Sequence, residues 1–317
     1  MSSFSRDNII SSSLFKQITQ KRVTDPNFSL KVAELRKRRE GFVGSSSINI
    51  VACDHPARGS LSAGNNPLAM ADRHDLLARL THILQSDWVD GVLGTMDILE
   101  ELLIVHGLKR QIGEGFLDNK LLIGSFNRGG LPGSVWELDD PVTGPNASTC
   151  VQYGLDATKM LLRVNMDDGN SLKTIQYCAD GIRDMNTIDR PVFIEPLPVV
   201  PSEKGYKVVA DPEKLIQLIS VSSALGDSSR NMWLKIPYTE EFERVVGSTT
   251  LPMVILGGGT SHSKVEFLGN LQQAMDTGHQ VRGTMIGRNM LYPKDAGPLE
   301  MAESIGKVVH RNEVPAL

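Results

Sequence analysis

Cysteine is scarce. Three residues, Cys53, Cys150 and Cys178, stand far apart in a chain of 317 with no Cys-x-x-Cys pair, which argues against a structural zinc site or a disulfide framework. A reducing compartment is the simpler reading. No apolar run approaches the roughly 18 residues of a membrane helix, and the start MSSFSRDNIISSS has neither the basic stretch nor the apolar core of a signal peptide. A cytoplasmic protein with no membrane partner is therefore expected. Neither sign of charge dominates, since 33 Lys and Arg face 37 Asp and Glu for a net charge of -4, and nothing there advertises a nucleic-acid partner. The basic run Arg36-Lys37-Arg38-Arg39, with Glu34 and Glu40 beside it, reads as a solvated helix face.

What the chain does have is alternation. From about residue 48 onward, short runs of β-branched and aliphatic residues alternate with longer segments of helical period, the pattern of βα units around a parallel sheet. Eight strands are predicted: Ile48–Cys53, Trp88–Leu93, Leu121–Phe126, Lys159–Val164, Val192–Glu195, Met232–Ile236, Met253–Leu256 and Val281–Ile286. Helices are predicted between them, among them Leu68–Gln85, Ile98–Ile112, Pro212–Ala224 and Lys264–Met275. Eight such pairs favour an α/β fold of the closed (β/α)8 TIM-barrel kind, with an open doubly wound sheet as the alternative. The expected organisation is a helical extension over residues 1–47, covering the barrel's bottom or touching another subunit, and a barrel domain over 48–317. Two inserts, Asn127–Asn146 and Leu197–Ala210, follow the third and fifth strands. Both fall on the face that carries the active site in such barrels, so they read as substrate loops or lids.

The sixth predicted strand reads MWLKIPY and sets Lys235 in an apolar run. Desolvation and nearby cations lower an amine there toward its neutral form, the nucleophile that attacks a ketone to give a Schiff base. A snorkelling or ion-paired lysine is the bland alternative. Lys235 does not stand alone, because the first strand ends in Asp54, the fourth carries Lys159 and the fifth ends in Glu195. Two carboxylates and two lysines converge on one mouth. Imine formation needs a carboxyl group shuttling protons beside the amine, and carbon–carbon cleavage needs a base on the departing hydroxyl; Glu195 suits the first task and Asp54 the second. Structural bridges to Lys159 and Arg163 are the competing explanation.

The strings ACDHPARGS, DATKMLLRV, FIEPLP and WLKIPY resemble the strand-end motifs of class I fructose- and tagatose-bisphosphate aldolases, in the same order and at similar spacing. DHPARG and NRGGLPGSVWELDD also resemble aldolase-like barrel proteins encoded beside inositol-catabolism genes. The resemblance implies a metal-free lyase in which Lys235 forms the imine, Glu195 drives its dehydration, Lys159 holds charge near the substrate and Asp54 assists cleavage. It further implies a phosphorylated small-molecule substrate and a homo-oligomer. Two departures stand out: the chain ends RNEVPAL without a terminal tyrosine, and Asn127-Arg128 stands where a lysine would be expected. Proton transfer at the substrate carbon is thus left without a residue.

The last two predicted strands run into Gly257-Gly258-Gly259-Thr260-Ser261 and Gly287-Arg288-Asn289, the two loops that commonly bind phosphate in barrels. Glycines let backbone N–H groups approach an anion, and Arg288 offers a forked pair of donors. Asn127, Arg128 and Arg58 are further candidates for substrate contact, with a loop-bracing role as the alternative. Asp54, His55 and His262 also suggest a metal site, but no His-x-His or His-x-x-x-His spacing supports it. An acyltransferase on the same scaffold and a non-catalytic sugar-phosphate-binding barrel are the competing functions.

Overall fold

Eight parallel strands close on themselves in the computed structural model, which describes residues 4–42, 47–258 and 263–311. In chain order the strands are β1 (Ile48–Cys53), β2 (Gly91–Gly94), β3 (Leu121–Ser125), β4 (Ala157–Val164), β5 (Val192–Ser202) with its hairpin partner β6 (Gly205–Val208), β7 (Met232–Ile236), β8 (Met253–Leu256) and β9 (Val281–Ile286). The order β4-β3-β2-β1-β9-β8-β7-β5 is closed by pairing of β4 with β5, so the fold is a (β/α)8 barrel rather than an open sheet. Of these strands only β6 is antiparallel, and it lies outside the ring. β7 is thus the sixth barrel strand.

Three helices precede the barrel: α1 (Arg6–Ile9), α2 (Ser12–Thr24) and α3 (Phe28–Leu35). The outer layer follows as α4 (Arg73–Leu84), α5 (Met96–Arg110), α6 (Ala147–Gln152), α7 (Asn170–Asn186), α8 (Pro212–Ser223), α9 (Phe242–Val246), α10 (Lys264–Asp276), α11 (Arg288–Leu291) and α12 (Pro298–Arg311). α4 begins at Arg73, later than its apolar pattern predicts, because the Asp72 side chain accepts from the Asp75 N–H at 3.1 Å and caps it there. α8 starts where Asp211 caps and Pro212 occupies the first turn, as its sequence predicts. β2 starts at Gly91 rather than Trp88 because Val89 N–H turns back to the Ser86 carbonyl. Among the described residues no helix is long and apolar enough to cross a membrane.

The N-terminal helices lie along the outside of the barrel, α1 on α4 and both α2 and α3 on α5. The residues after them close over the strand starts, which corrects the reading of the basic run as a solvated helix face. α3 ends at Leu35, and buried Arg36 donates to the Lys120 carbonyl at 2.6 Å. Arg38 pairs with Asp156 at 2.8 Å and Arg39 with Asp90 at 2.6 Å. Each aspartate directly precedes a strand, so the run is a clamp across the bottom rim.

The insert after β3 is held rather than loose. Arg163, the inward residue near the end of β4, meets the Glu137 carboxylate at 2.5 Å and donates to the Gly130 carbonyl at 3.0 Å. The other Glu137 oxygen accepts from Gly133 N–H at 2.7 Å and, across the loop, from Tyr206 N–H of β6 at 3.2 Å. Glycine is required at 205, with φ 88° and no room for a Cβ against that carboxylate. Since Glu137 and Arg163 are both buried, Arg163→Ala strands a carboxylate away from water and should cost about 3 kcal/mol or more. Chemical denaturation measures it; an unchanged midpoint would mean that the clasp does not hold the loop.

Candidate active site

The inward face of the strands explains why the charges meet. Side chains alternate in and out along a strand, and the inward Ile48, Ile50, Ala52, Leu121, Ile123, Ala157, Phe193, Val254 and Met285 form a closed apolar core inside the barrel. The next inward step on five strands is polar: Asp54 after β1, Ser125 on β3, Lys159 on β4, Glu195 on β5 and Lys235 on β7. Register fixes their heights. Ser125 lies opposite Lys159, and Ile194 opposite Leu234, so Glu195 and Lys235 come one step further along neighbouring strands. Lys159, which begins its predicted strand, is neither too deep nor turned outward, because β4 starts earlier, at Ala157.

Glu195 bridges the two amines. Its Oε1 lies 3.2 Å from Lys235 Nζ, and its Oε2 contacts Lys159 Nζ. Lys159 also reaches Asp54 Oδ2 at 3.3 Å. Arg128 packs its guanidinium on the same Asp54 oxygen and donates from Nε to Ser125 Oγ at 2.8 Å. Ser125 passes its own hydrogen bond to Asp54 Oδ2 at 3.3 Å. All five charged groups are buried. Three cations therefore face two carboxylates, and loss of one proton from an amine balances the cluster.

Burial alone would raise the Glu195 carboxyl, yet Lys159 and Lys235 hold it well below the usual carboxylate range. Burial lowers both amines; Arg128 pushes each down and Glu195 opposes. Lys159 is ringed by two carboxylates, whereas Lys235 meets one. Lys235 is accordingly the amine with an open side. His55 is lowered to about 3 by burial, then by Arg288 and Lys235, so its imidazole is neutral.

A cavity of about 340 Å³ opens onto this cluster, in the range of small-molecule sites. Its wall includes Gly257, Gly258, Gly287 and Arg288 from the ends of β8 and β9, together with Arg58 and Arg128 from the loops after β1 and β3. Gly258 has φ 63°, the left-handed region that favours glycine. Arg288 is lowered by burial, its Nε is buried without a hydrogen-bond partner, and no carboxylate pairs with it among the described residues. Arg58 donates to the Gly130 carbonyl at 3.1 Å and keeps a buried, unpartnered Nη2. Gly259, Thr260, Ser261 and His262 lie outside the described residues. Among the described residues no group of three or more His, Cys, Asp or Glu side chains is placed to hold a metal.

Asn127 does not reach the cavity. Its amide accepts from Leu161 N–H at 2.8 Å and donates to the Leu161 carbonyl at 2.7 Å, so it braces the loop against β4. Sequence reasoning read Leu197–Ala210 as a substrate loop or lid but missed its strand pairing: the β5–β6 hairpin brings Val208 onto the cavity wall. Gly205 within SEKGY is the turn signal that would have found it.

A family model described as Cgl0159-like matches residues 46–305. The crystal structure of Cgl0159 from Corynebacterium glutamicum is 34% identical, covers 96% of this chain and 99% of that one, and superposes with a TM-score of 0.89. A Schiff-base-forming fructose-1,6-bisphosphate aldolase is 20% identical over 89% of this chain and all of that one, with a TM-score of 0.59, a likeness of fold. Among curated proteins, an uncharacterized aldolase of Saccharolobus solfataricus is 29% identical over 133 residues, which are 41% of this chain and 45% of that protein. The chain thus spans less than half the length of that relative.

Proposed function

The chain belongs to the Cgl0159-like family, and we propose that it is a class I aldolase that cleaves a phosphorylated ketose or keto-sugar acid through an imine on Lys235. The observation that carries this reading is Glu195 bridging Lys159 and Lys235 at the mouth of the barrel. A neutral Lys235 adds to the substrate carbonyl; the carbinolamine then loses its hydroxyl as water, taking a proton that Glu195 conducts from the Lys159 ammonium. The imine draws the electrons of the neighbouring carbon–carbon bond. Asp54 accepts the proton of the departing hydroxyl, and the other half leaves as an aldehyde. No metal takes part in this reading. Likeness in fold to a Schiff-base-forming aldolase, and to an archaeal one with its catalytic lysine covalently bound to a carbinolamine, supports it.

The phosphate of the ketone half falls to Arg288 with Gly257 and Gly258, because Arg288 is a cavity cation that no described carboxylate neutralises. The aldehyde half falls to Arg58, whose free Nη2 suits a carboxylate or second phosphate, with Arg128 behind it on Asp54. Dihydroxyacetone phosphate is then the expected ketone product, and a carbohydrate acid aldehyde such as malonate semialdehyde, as in inositol catabolism, the expected partner. Self-association belongs to the same reading, and sedimentation velocity measures it.

Borohydride added with dihydroxyacetone phosphate should fix one ketone mass on the peptide carrying Lys235. No fixed mass, or mass on Lys159 instead, would refute the assignment. Arg288→Ala should raise KM for the phosphorylated substrate by roughly 10 to 100-fold, the worth of a charge-assisted contact, and leave the dephosphorylated analogue almost unchanged. Equal effects on the two would move the phosphate elsewhere.

A further inference from the structure

On the aldolase reading above, one proton is unaccounted for. Cleavage leaves an enamine on Lys235 whose carbon must take up a proton before the ketone is released, and the side chain that delivers it must touch the cavity and be free to exchange. None of the five tyrosines, all among the described residues, lines the cavity. The one on the overhanging hairpin, Tyr206, has its hydroxyl held by Asp168 at 2.6 Å. Glu195 is spanned by two lysines, and Asp54 carries Arg128, Lys159 and Ser125 on one oxygen.

His55 is different. It follows Asp54 directly, lines the cavity with Lys235, and its Nδ1 stands 3.8 Å from Asp54 Oδ1, the aspartate oxygen that those three partners leave open. Nδ1 is buried without a hydrogen-bond partner, an orphaned position for a ring that has no structural bond to keep. The ring's place is made by Gly287, where a Cβ would come within 2.5 Å of the imidazole carbon between the nitrogens. A neutral imidazole bears a proton on one nitrogen and a lone pair on the other, so it takes a proton on one side while giving one on the other.

We propose that His55 is the catalytic residue that carries a proton between Asp54 and the substrate carbon next to the imine. In cleavage the O–H bond of the departing hydroxyl breaks and its proton passes to Asp54. The enamine carbon then forms a C–H bond with the proton on His55 Nε2 as Nδ1 takes the one from Asp54. Every proton removed from oxygen is returned to carbon, and only the imidazole tautomer changes; it resets by exchange with water in the open cavity. Condensation runs the same path in reverse. The depressed basicity of His55 supports a relay over a stored imidazolium. The 3.8 Å gap at rest is of the kind that closes when substrate binds.

The test reads two steps separately in the wild type, His55→Gln and His55→Asn: borohydride trapping of dihydroxyacetone phosphate, and exchange of its carbon-bound hydrogen into deuterium oxide. Trapping should stay within about twofold in both variants while exchange falls by roughly 100-fold or more. Trapping that holds beside exchange at the wild-type rate would overturn the His55 assignment alone and leave the aldolase reading standing. Variants that no longer trap the ketone would make His55 a structural residue and also overturn it. A wild type that traps nothing would remove the aldolase reading, and the relay with it.

Discussion

Lys235→Ala should lower kcat/KM by roughly 10⁵-fold or more, the scale seen when a covalent nucleophile is deleted, while the protein melts within a few degrees of the wild type. The two halves of that expectation come from the same contacts. Glu195 loses one of its two lysines but keeps Lys159, so no carboxylate is left buried without a cation. The cluster passes from three cations against two carboxylates to two against two, and the departing amine is the one with a single partner. Alanine at this inward position enlarges the cavity at its open end, where water fills the space. Activity, borohydride trapping and a melting curve on one preparation decide the matter. More than a trace of turnover with a normal melt would sink the imine mechanism; an adduct retained on Lys159 would transfer the role to the deeper lysine.

The site was legible in the sequence to the extent that it follows a period of two. Ile48, Ile50 and Ala52 point inward, so Asp54 must as well, and the same count carries Phe193 to Glu195 on β5 and Ile123 to Ser125 on β3. Three features do not follow from the period of two. The β6 strand has no buried residue to mark it, so its only trace is a turn glycine. The Arg36–Arg39 run has the polar look of a solvated helix, and what separates that from a clamp is the position of Asp90 and Asp156, which only the closed barrel brings near. The surroundings of His55 depend on Gly287, at the far end of the chain. Long-range closure supplies the last two, whereas β6 is a local hairpin on β5.

Glu195→Gln should slow imine formation by about 10³-fold, within the usual worth of a positioned acid–base group, with KM changed only a few fold. Glutamine fills the same volume and its amide oxygen still accepts from a lysine, so binding survives; what it cannot do is receive a proton from one amine and pass it on. The direction of a second effect follows from charge. Glu195 opposes the burial and the Arg128 charge that depress Lys235, so its removal lowers the Lys235 amine further below the usual lysine range. Since the amine attacks only when neutral, turnover rises as pH climbs through that value, and the acidic limb of the kcat/KM profile should move to lower pH in the variant. Rapid-quench borohydride trapping gives the rate of imine formation, and a pH series on the same samples gives the limb. A variant altered in KM alone, with imine formation at the wild-type rate, would show that Glu195 only pairs Lys159 with Lys235 and moves no proton.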